Sequence, residues 1–197
     1  MVVRITEDDD LTSDAGVNKA VQILQQYSGL PVLIWVSVPC TGGSTWQRLN
    51  LKSGRCNVRR IMQHMVLYRA LMRSVHVVAA AGQAVGAVMA VEWPRRCRYW
   101  TSPQYLQLSR RYNLQPITLD GCMFGLTAVG GKDHGMAIRK PWRVDTNCQE
   151  LKKYLQKHCD ASHQHTPCQG QQTKRTEGYT DQFACRGRAQ RFQAVPQ

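Results

Sequence analysis

Apolar side chains recur along the chain with two different periods. Over 14–27 they return every three or four residues, which predicts a helix with Ser13 or Asp14 as its N-cap. The same period predicts a long helix from Val58 to about Ala81, another over 103–112 and a short one over 148–159. Each of these segments leaves a polar face for solvent.

Other segments are β-branched and nearly continuous in apolar residues, and these predict strands. They are "VVRI" (2–5), "PVLIWVSV" (31–38), "GAVMAVEWP" (86–94), "PITLDGCMFGLTAV" (116–129) and "AIRKPWRVDT" (137–146), with "GGKDHG" as the turn between the last two. The run at 31–38 is typical of a central parallel strand that is covered on both faces. The alternation of strands and helices predicts an open α/β sheet that ends in an antiparallel hairpin.

The character of the chain changes after residue 147. We predict an α/β domain over 1–147, a small Cys/His-rich lobe over 148–180, and a disordered basic tail over 181–197. The tail prediction follows from its Gln- and Arg-rich composition.

Composition narrows the class of protein. At 197 residues with 43% hydrophobic content, the chain has the size and balance of one ordinary domain with an appendage. No apolar run approaches the roughly 20 residues of a membrane helix, and the N-terminus becomes acidic at Glu7, so we expect no membrane partner and no secretion. The expected location is intracellular, nuclear or cytoplasmic. Eight scattered cysteines favour free thiols, a metal site or a catalytic thiol over a disulfide scaffold.

The positive charge is concentrated in one block. The formal net charge is +13, and residues 48–111 contain twelve Lys or Arg but only one acid, Glu92. Such a block favours a nucleic-acid partner, although a solvated arginine-rich surface is the alternative. The candidate phosphate-binding residues are Arg48, Arg59, Arg60, Arg95 and Arg96.

Two chemically capable residues fall at predicted strand ends. Cys40 follows the strand at 31–38 and precedes a Gly42-Gly43 turn, while Glu92 closes the strand at 86–94. Ligands of open α/β sheets collect at the carboxyl ends of strands, where a thiol and a carboxyl could combine covalent attack with proton donation. The alternatives are a buried structural cysteine and a surface carboxylate that pairs with Arg95 or Arg96.

The pattern Pro39-Cys40-Thr41-Gly42-Gly43-Ser44, followed by Glu92 at the next strand end, resembles the cytosine-5 DNA methyltransferases. The resemblance implies a Rossmann-like, class I methyltransferase-type open sheet. No glycine-bearing loop after a first strand is present, so we expect the sheet to lack that strand. The implied reaction is methylation of a flipped cytosine with S-adenosylmethionine as the methyl donor.

The resemblance also implies roles for single residues. Cys40 would attack ring carbon 6, Glu92 would bind and protonate ring nitrogen 3, and Ser44 would contact substrate or backbone. Asp10 and Pro39 would contact the cofactor, although an Asp cluster is also typical of a solvated turn. Two further arginines, Arg139 and Arg143, loosely match the family's Gln-x-Arg-x-Arg stretch and would bind nucleic acid, DNA rather than RNA.

The segments "PCTGGS.W", "EWPR.C.YW", "DGCM.GL", "KPWR" and "C..SH.H.PC.G...T.GYT" are also similar to those of short proteins abundant in some algal genomes. That resemblance runs from about residue 3 to residue 180 and implies no particular activity. It suggests a shortened copy of a longer parent. The alternative function is therefore a catalytically inactive nucleic-acid-binding module, derived from a methyltransferase or a mobile element. A purely structural zinc-containing interaction protein is a third alternative.

Four thiol and imidazole side chains cluster near the C-terminus. Cys159, His163, His165 and Cys168 lie within ten residues and could close a tetrahedral zinc site. The alternative is a polar loop with solvated histidines. Four aromatic residues near the two strand ends could stack on an extruded base or could fill the core instead; they are Trp46, Trp93, Tyr99 and Trp100.

Overall fold

The structure, a computed structural model, describes residues 1–54 and 57–188, without the side chains of 48, 49 and 185–188. Its helices are α1 Asp14–Gln26, α2 Trp46–Lys52, α3 Val58–Ala84, α4 Pro103–Arg111, α5 Gln149–Leu155, α6 Gln171–Arg175 and α7 Asp181–Arg188. Its strands are β1 Leu33–Val36, β2 Val88–Pro94, β3 Gln115–Asp120 and β4 Pro141–Thr146. Within the described residues, no helix combines the length and apolarity needed to span a bilayer.

The main helices begin where the sequence predicts, because a side chain satisfies their first free backbone N–H groups. The Ser13 hydroxyl accepts a hydrogen bond from the Gly16 N–H at the start of α1. The Asn57 side chain accepts from the Arg60 N–H at 2.9 Å and caps α3. The predicted helices over 14–27, 103–112 and 148–159 correspond to α1, α4 and α5, and the long helix is α3.

The four strands form one mixed open sheet in the order β1-β2-β4-β3, which confirms an open α/β sheet and is consistent with a Rossmann-like fold. β1 and β2 are parallel, with Val36 opposite Val91, and β4 is antiparallel to both β2 and β3. The carboxyl ends of β1 and β2 therefore lie at the same edge of the sheet.

Three details of the predicted strands are wrong. Residues 2–5 form no strand. The 31–38 segment is not central: β1 lies at one end of the strand order, and most of its residues are only half-buried. The strand predicted over 116–129 ends at Asp120, where the 3₁₀ turn Gly121–Phe124 follows, but the predicted antiparallel end of the sheet is confirmed by the β3–β4 pair. Strand pairing between distant segments decides these positions, and local pattern does not report it.

Two apolar clusters cover the two faces of the sheet. Met89, Val91 and Trp93 of β2 belong to the cluster that also contains buried residues of α3 and α4. Ala90 belongs to the other cluster, with residues of β3, β4 and α5. The alternation along β2 places Glu92 on the same face as Ala90, since successive side chains of a strand point in opposite directions.

The segment after residue 147 shares this second core. Leu151 and Leu155 of α5 and Phe183 of α7 are buried in the same cluster as β3 and β4. The predicted boundary at residue 147 thus does not separate two cores. The predicted disordered tail differs too, because residues 181–188 form α7 and Phe183 contacts the rings of Phe124 and Trp142. The rest of that tail, 189–197, lies outside the described residues.

Candidate functional site

Cys40 stands at the turn that follows β1. The 3₁₀ turn Thr41–Gly43 starts there, and the Gly43 N–H donates to the Cys40 carbonyl at 3.0 Å. A Cβ at Gly43 would lie 2.7 Å from Cys97 Sγ and almost as close to the Tyr99 ring, so only glycine fits this close approach. The glycines thus let the turn pack on the aromatic core and leave Cys40 half-buried at its margin.

Glu92 is buried at the end of β2, where hydroxyl groups hold it. Its Oε2 accepts hydrogen bonds from the Tyr179 hydroxyl at 2.7 Å and from the Ser37 hydroxyl at 3.2 Å. The Trp35 indole N–H donates to the same Tyr179 oxygen at 3.0 Å, which leaves the Tyr179 hydrogen free for Glu92. The alternative of a surface ion pair with Arg95 or Arg96 is therefore wrong.

The charges of Glu92 and Lys140 both affect the ionisation of the Cys40 thiol. Burial raises the pKa of the Cys40 thiol, and the negative charge of Glu92 raises it further, while Lys140 lowers it. Burial also raises the pKa of the Glu92 carboxyl, against the hydrogen bonds from Tyr179 and Ser37 and the charge of Lys140. Cys40 therefore lies within electrostatic reach of Glu92 and of Lys140, and Glu92 lies within reach of Lys140.

Replacing Glu92 by glutamine should change how stability depends on pH. Because the folded-state pKa of Glu92 lies above its ordinary value of 4.5, the native protein holds this proton to higher pH than the unfolded chain does. The free energy of unfolding then falls as pH rises through that interval, by at most about 1.4 kcal/mol per pH unit. In urea unfolding between about pH 4 and pH 8, Glu92→Gln should gain stability relative to the parent as pH rises. Parallel pH profiles would contradict the raised pKa.

The other residues that the methyltransferase resemblance assigns to this region have local roles. The Ser44 hydroxyl accepts from the Trp46 N–H at the start of α2. Pro39 is exposed in the turn. The Asp10 carboxylate accepts from both the backbone N–H and the hydroxyl of Thr12, which is the geometry of an exposed Asx turn.

Most of the basic block is at the surface. The exposed arginines within it are Arg59, Arg60, Arg69, Arg73, Arg95, Arg96, Arg98, Arg110 and Arg111, whereas the side chain of Arg48 lies outside the described residues. Arg95 and Arg96 directly follow β2 and thus lie in the chain beside Glu92.

The two arginines near β4 are paired with acids. Arg143 forms two hydrogen bonds of 2.6 Å with Asp145, and its guanidinium lies 4.4 Å from the Trp100 ring centre. Arg139 is more exposed and lies 3.3 Å from Asp120. Arg143 is thus held within the fold, and Arg139 is the more accessible of the two.

Three of the four aromatic candidates are core residues. Trp93, Tyr99 and Trp100 are at most 4% exposed, and the Trp93 ring contacts both of the others, whereas Trp46 is 46% exposed. Of these four, Trp46 alone offers a ring face to solvent.

A second constellation brings four possible metal ligands together. One ligand atom from each residue lies within 4.8 Å of all the others in the group Cys122, Cys159, His163 and His165. The Cys159 sulfur lies 3.7 Å from His163 Nε2 and 3.4 Å from His165 Nε2. This group could hold a metal ion.

The predicted ligand Cys168 is not part of that group. Its sulfur contacts the Thr176 hydroxyl at 3.5 Å and packs beside the second core cluster. Cys122 takes the position instead, because the 3₁₀ turn Gly121–Phe124 after β3 lies beside the segment that starts at Cys159. Chain spacing predicts Cys168 as the fourth ligand because it is close to the histidines in sequence. In the folded protein Cys122, which is more distant in sequence, lies beside them instead.

Sequence reasoning missed four residues of these two sites. Ser37, Lys140 and Tyr179 surround Glu92 or Cys40, and Cys122 joins the metal-binding group. A signal existed for three of them: "DGCM", "KPWR" and "GYT" stand out as segments in which Cys122, Lys140 and Tyr179 occur. Nothing local distinguishes Ser37.

Comparison with known proteins adds no assignment. No family model matches the sequence, and neither a curated protein nor a solved structure gives a significant match.

Proposed function

We propose that this chain is a cytosine-5 DNA methyltransferase-like protein in which Cys40 attacks a cytosine ring and Glu92 protonates it. One observation carries the proposal. The structure supports it by bringing a thiol and a buried carboxyl, which are separated by α2 and α3 in the chain, to the same edge of the sheet and within electrostatic reach of each other. Exposed arginines beside Glu92 would bind the phosphates of the substrate strand.

The chemistry requires a proton and an electron pair to move together. The Cys40 sulfur, after loss of its proton, would bond to ring carbon 6, and the electrons of the 5,6 double bond would move to carbon 5. Proton transfer from Glu92 to ring nitrogen 3 makes carbon 6 more electrophilic, and the raised pKa of Glu92 favours the protonated acid that this step needs. Lys140 would stabilise the thiolate, since its charge lowers the pKa of Cys40.

The described residues fit zinc better than they fit S-adenosylmethionine. For S-adenosylmethionine, the assigned contacts fit poorly: the Asp10 carboxylate is already bonded to Thr12, and Pro39 is in an exposed turn. For the metal-binding group the fit is better, and we infer zinc, because two sulfurs and two imidazoles are its typical tetrahedral ligands.

The proposal is tested without a methyl donor. Once Cys40 has added to carbon 6, carbon 5 can exchange its hydrogen with solvent before the sulfur leaves, so cytosine in an oligonucleotide should gain deuterium from D₂O. The measurement is mass spectrometry of the recovered nucleosides. We expect exchange by the parent protein, none above background for Cys40→Ala, and a loss of about 10²–10⁴-fold for Glu92→Gln.

Cys97→Ala is the matched control, because Cys97 is the buried thiol beside the same turn and burial raises its pKa to about 12. It should retain exchange. Absence of exchange in the parent protein, or its persistence in Cys40→Ala, would contradict the enzymatic proposal.

The second candidate function is a catalytically inactive nucleic-acid-binding module. The observation that favours it is the raised pKa of Cys40, because a protonated thiol is a poor nucleophile at neutral pH. In that case the protein should bind single-stranded or duplex DNA with a strong salt dependence, and Cys40→Ala should leave the affinity unchanged. Arg95→Ala and Arg96→Ala should each lower the slope of log affinity against log salt concentration by about 1.

A further inference from the structure

We propose that Cys122 is the fourth ligand of a structural zinc ion whose other ligands are Cys159, His163 and His165, so that the metal joins the end of β3 to the C-terminal segment. The inference does not depend on the cytosine chemistry, because metal binding is measured on the protein alone. It replaces the ligand set that chain spacing predicts, which contains Cys168.

The distances within the group match a tetrahedral zinc ion. With zinc–sulfur bonds of about 2.3 Å and zinc–nitrogen bonds of about 2.0 Å, a sulfur and a nitrogen on one ion lie about 3.5 Å apart. The two observed separations from Cys159 Sγ, 3.4 Å and 3.7 Å, lie on either side of this value. Both histidines present Nε2 to the sulfur, and one donor atom of each of the four residues lies within 4.8 Å of the others.

The backbone around the ligands is fixed from several directions. The Cys159 N–H donates to Asp120 Oδ2 at 3.0 Å, and the Ala161 N–H donates to the Cys159 sulfur at 3.3 Å. His165 pairs with Ala137 in an isolated β-bridge, and the next residue donates its N–H to the Ala137 carbonyl. A site held by outer hydrogen bonds of this kind needs little rearrangement when the ion binds.

Asp120 connects the hydrogen bonds around the metal-binding residues to the sheet. Its carboxylate is 1% exposed, it is the last residue of β3, and Cys122 follows two positions later. The same acid therefore positions the Cys159 backbone and precedes the Cys122 turn. It anchors the Cys159 half of the site to the strand that leads into the Cys122 half.

The metal would supply stability where apolar contacts are few. The residues 157–165 between α5 and the β-bridge are half-buried or exposed, and they lack regular secondary structure apart from the bridge. Too little apolar surface is buried there to offset the entropy of ordering the backbone. A zinc ion shared with Cys122 would fasten this segment to the sheet, since binding free energy of a structural metal stabilises the fold directly.

The test compares two cysteine variants of the full chain, Cys122→Ser and Cys168→Ser. The purified proteins are dialysed against a zinc buffer, and zinc is measured by elemental mass spectrometry and by competition with a chromogenic chelator. We expect one zinc per chain in the parent and in Cys168→Ser. Cys122→Ser should bind at least about 100-fold more weakly, because outer-sphere partners alone contribute 10- to 100-fold.

A ligand exchange covers the case in which Cys122→Ser does not fold. Cys122→His offers a nitrogen in place of the sulfur, so it should still bind cobalt(II) tetrahedrally but with a weaker sulfur-to-cobalt charge-transfer band. Zinc-free parent protein, loss of zinc in Cys168→Ser, or an unchanged charge-transfer band in Cys122→His would each overturn the proposal. None of these results bears on deuterium exchange at Cys40, so the two proposals fail independently.

Discussion

Replacing Asp145 by asparagine should lower the free energy of unfolding by about 3–5 kcal/mol, a large part of the roughly 5–15 kcal/mol typical of a domain. Asp145 is 1% exposed and accepts two hydrogen bonds of 2.6 Å from Arg143 as well as one from the Tyr105 hydroxyl. Asparagine has no charge and would direct an N–H₂ group at one of these donors. Arg143 would then be partly buried without its counter-charge.

Urea unfolding at neutral pH measures this effect, with Asp9→Asn as the matched control. Asp9 also forms an ion pair, with Lys19 at 2.5 Å, but that lysine is 59% exposed. Solvent screens a surface pair of this kind, so the control should change stability far less than Asp145→Asn. Equal losses for the two variants would show that burial does not strengthen the Asp145 network.

Helices α1, α3, α4 and α5 and the α/β class follow from the sequence because they depend on local terms, whereas α2, α6 and α7 are not predicted. The Ser13 cap and the apolar period predict α1, and the long stripe after Asn57 predicts α3 almost to its last residue. The place of each strand in the sheet does not follow, because it depends on pairing between distant segments. β1 is as apolar as a central strand yet ends the strand order, and β4 enters between β2 and β3.

The candidate sites show the same difference between residues placed by local sequence and residues placed by long-range packing. A strand followed by a turn predicts where Cys40 and Glu92 lie, since the carboxyl ends of parallel strands meet at one edge. The sequence pattern does not identify residues that reach these sites from distant parts of the chain. Tyr179 reaches Glu92 from the C-terminal segment, and Cys122 reaches the histidines from the end of β3. In both cases tertiary packing, rather than spacing, brings the final residue into place.

Replacing Trp93 by alanine should lower the free energy of unfolding by about 3–5 kcal/mol and should also loosen the Cys40 turn. Trp93 is 1% exposed, and its ring makes edge contacts with Tyr68, Tyr99 and Tyr105. Its indole N–H donates to the Val38 carbonyl at 2.9 Å, two residues before Cys40. One side chain therefore fills the first core cluster and holds the chain that leads into the candidate site.

Trp93→Phe separates these two roles, because it keeps most of the ring and removes the N–H. We expect it to cost about 1–3 kcal/mol, since the carbonyl of the half-buried Val38 loses its donor. Alkylation of Cys40, followed by peptide mass spectrometry under conditions where the variant stays folded, should become faster. Trp46→Ala, at a ring that is 46% exposed, should change neither quantity by much. If Trp93→Phe leaves the alkylation rate of Cys40 at its parent value, the turn is held by the glycine contacts with Cys97 and Tyr99 rather than by the indole hydrogen bond.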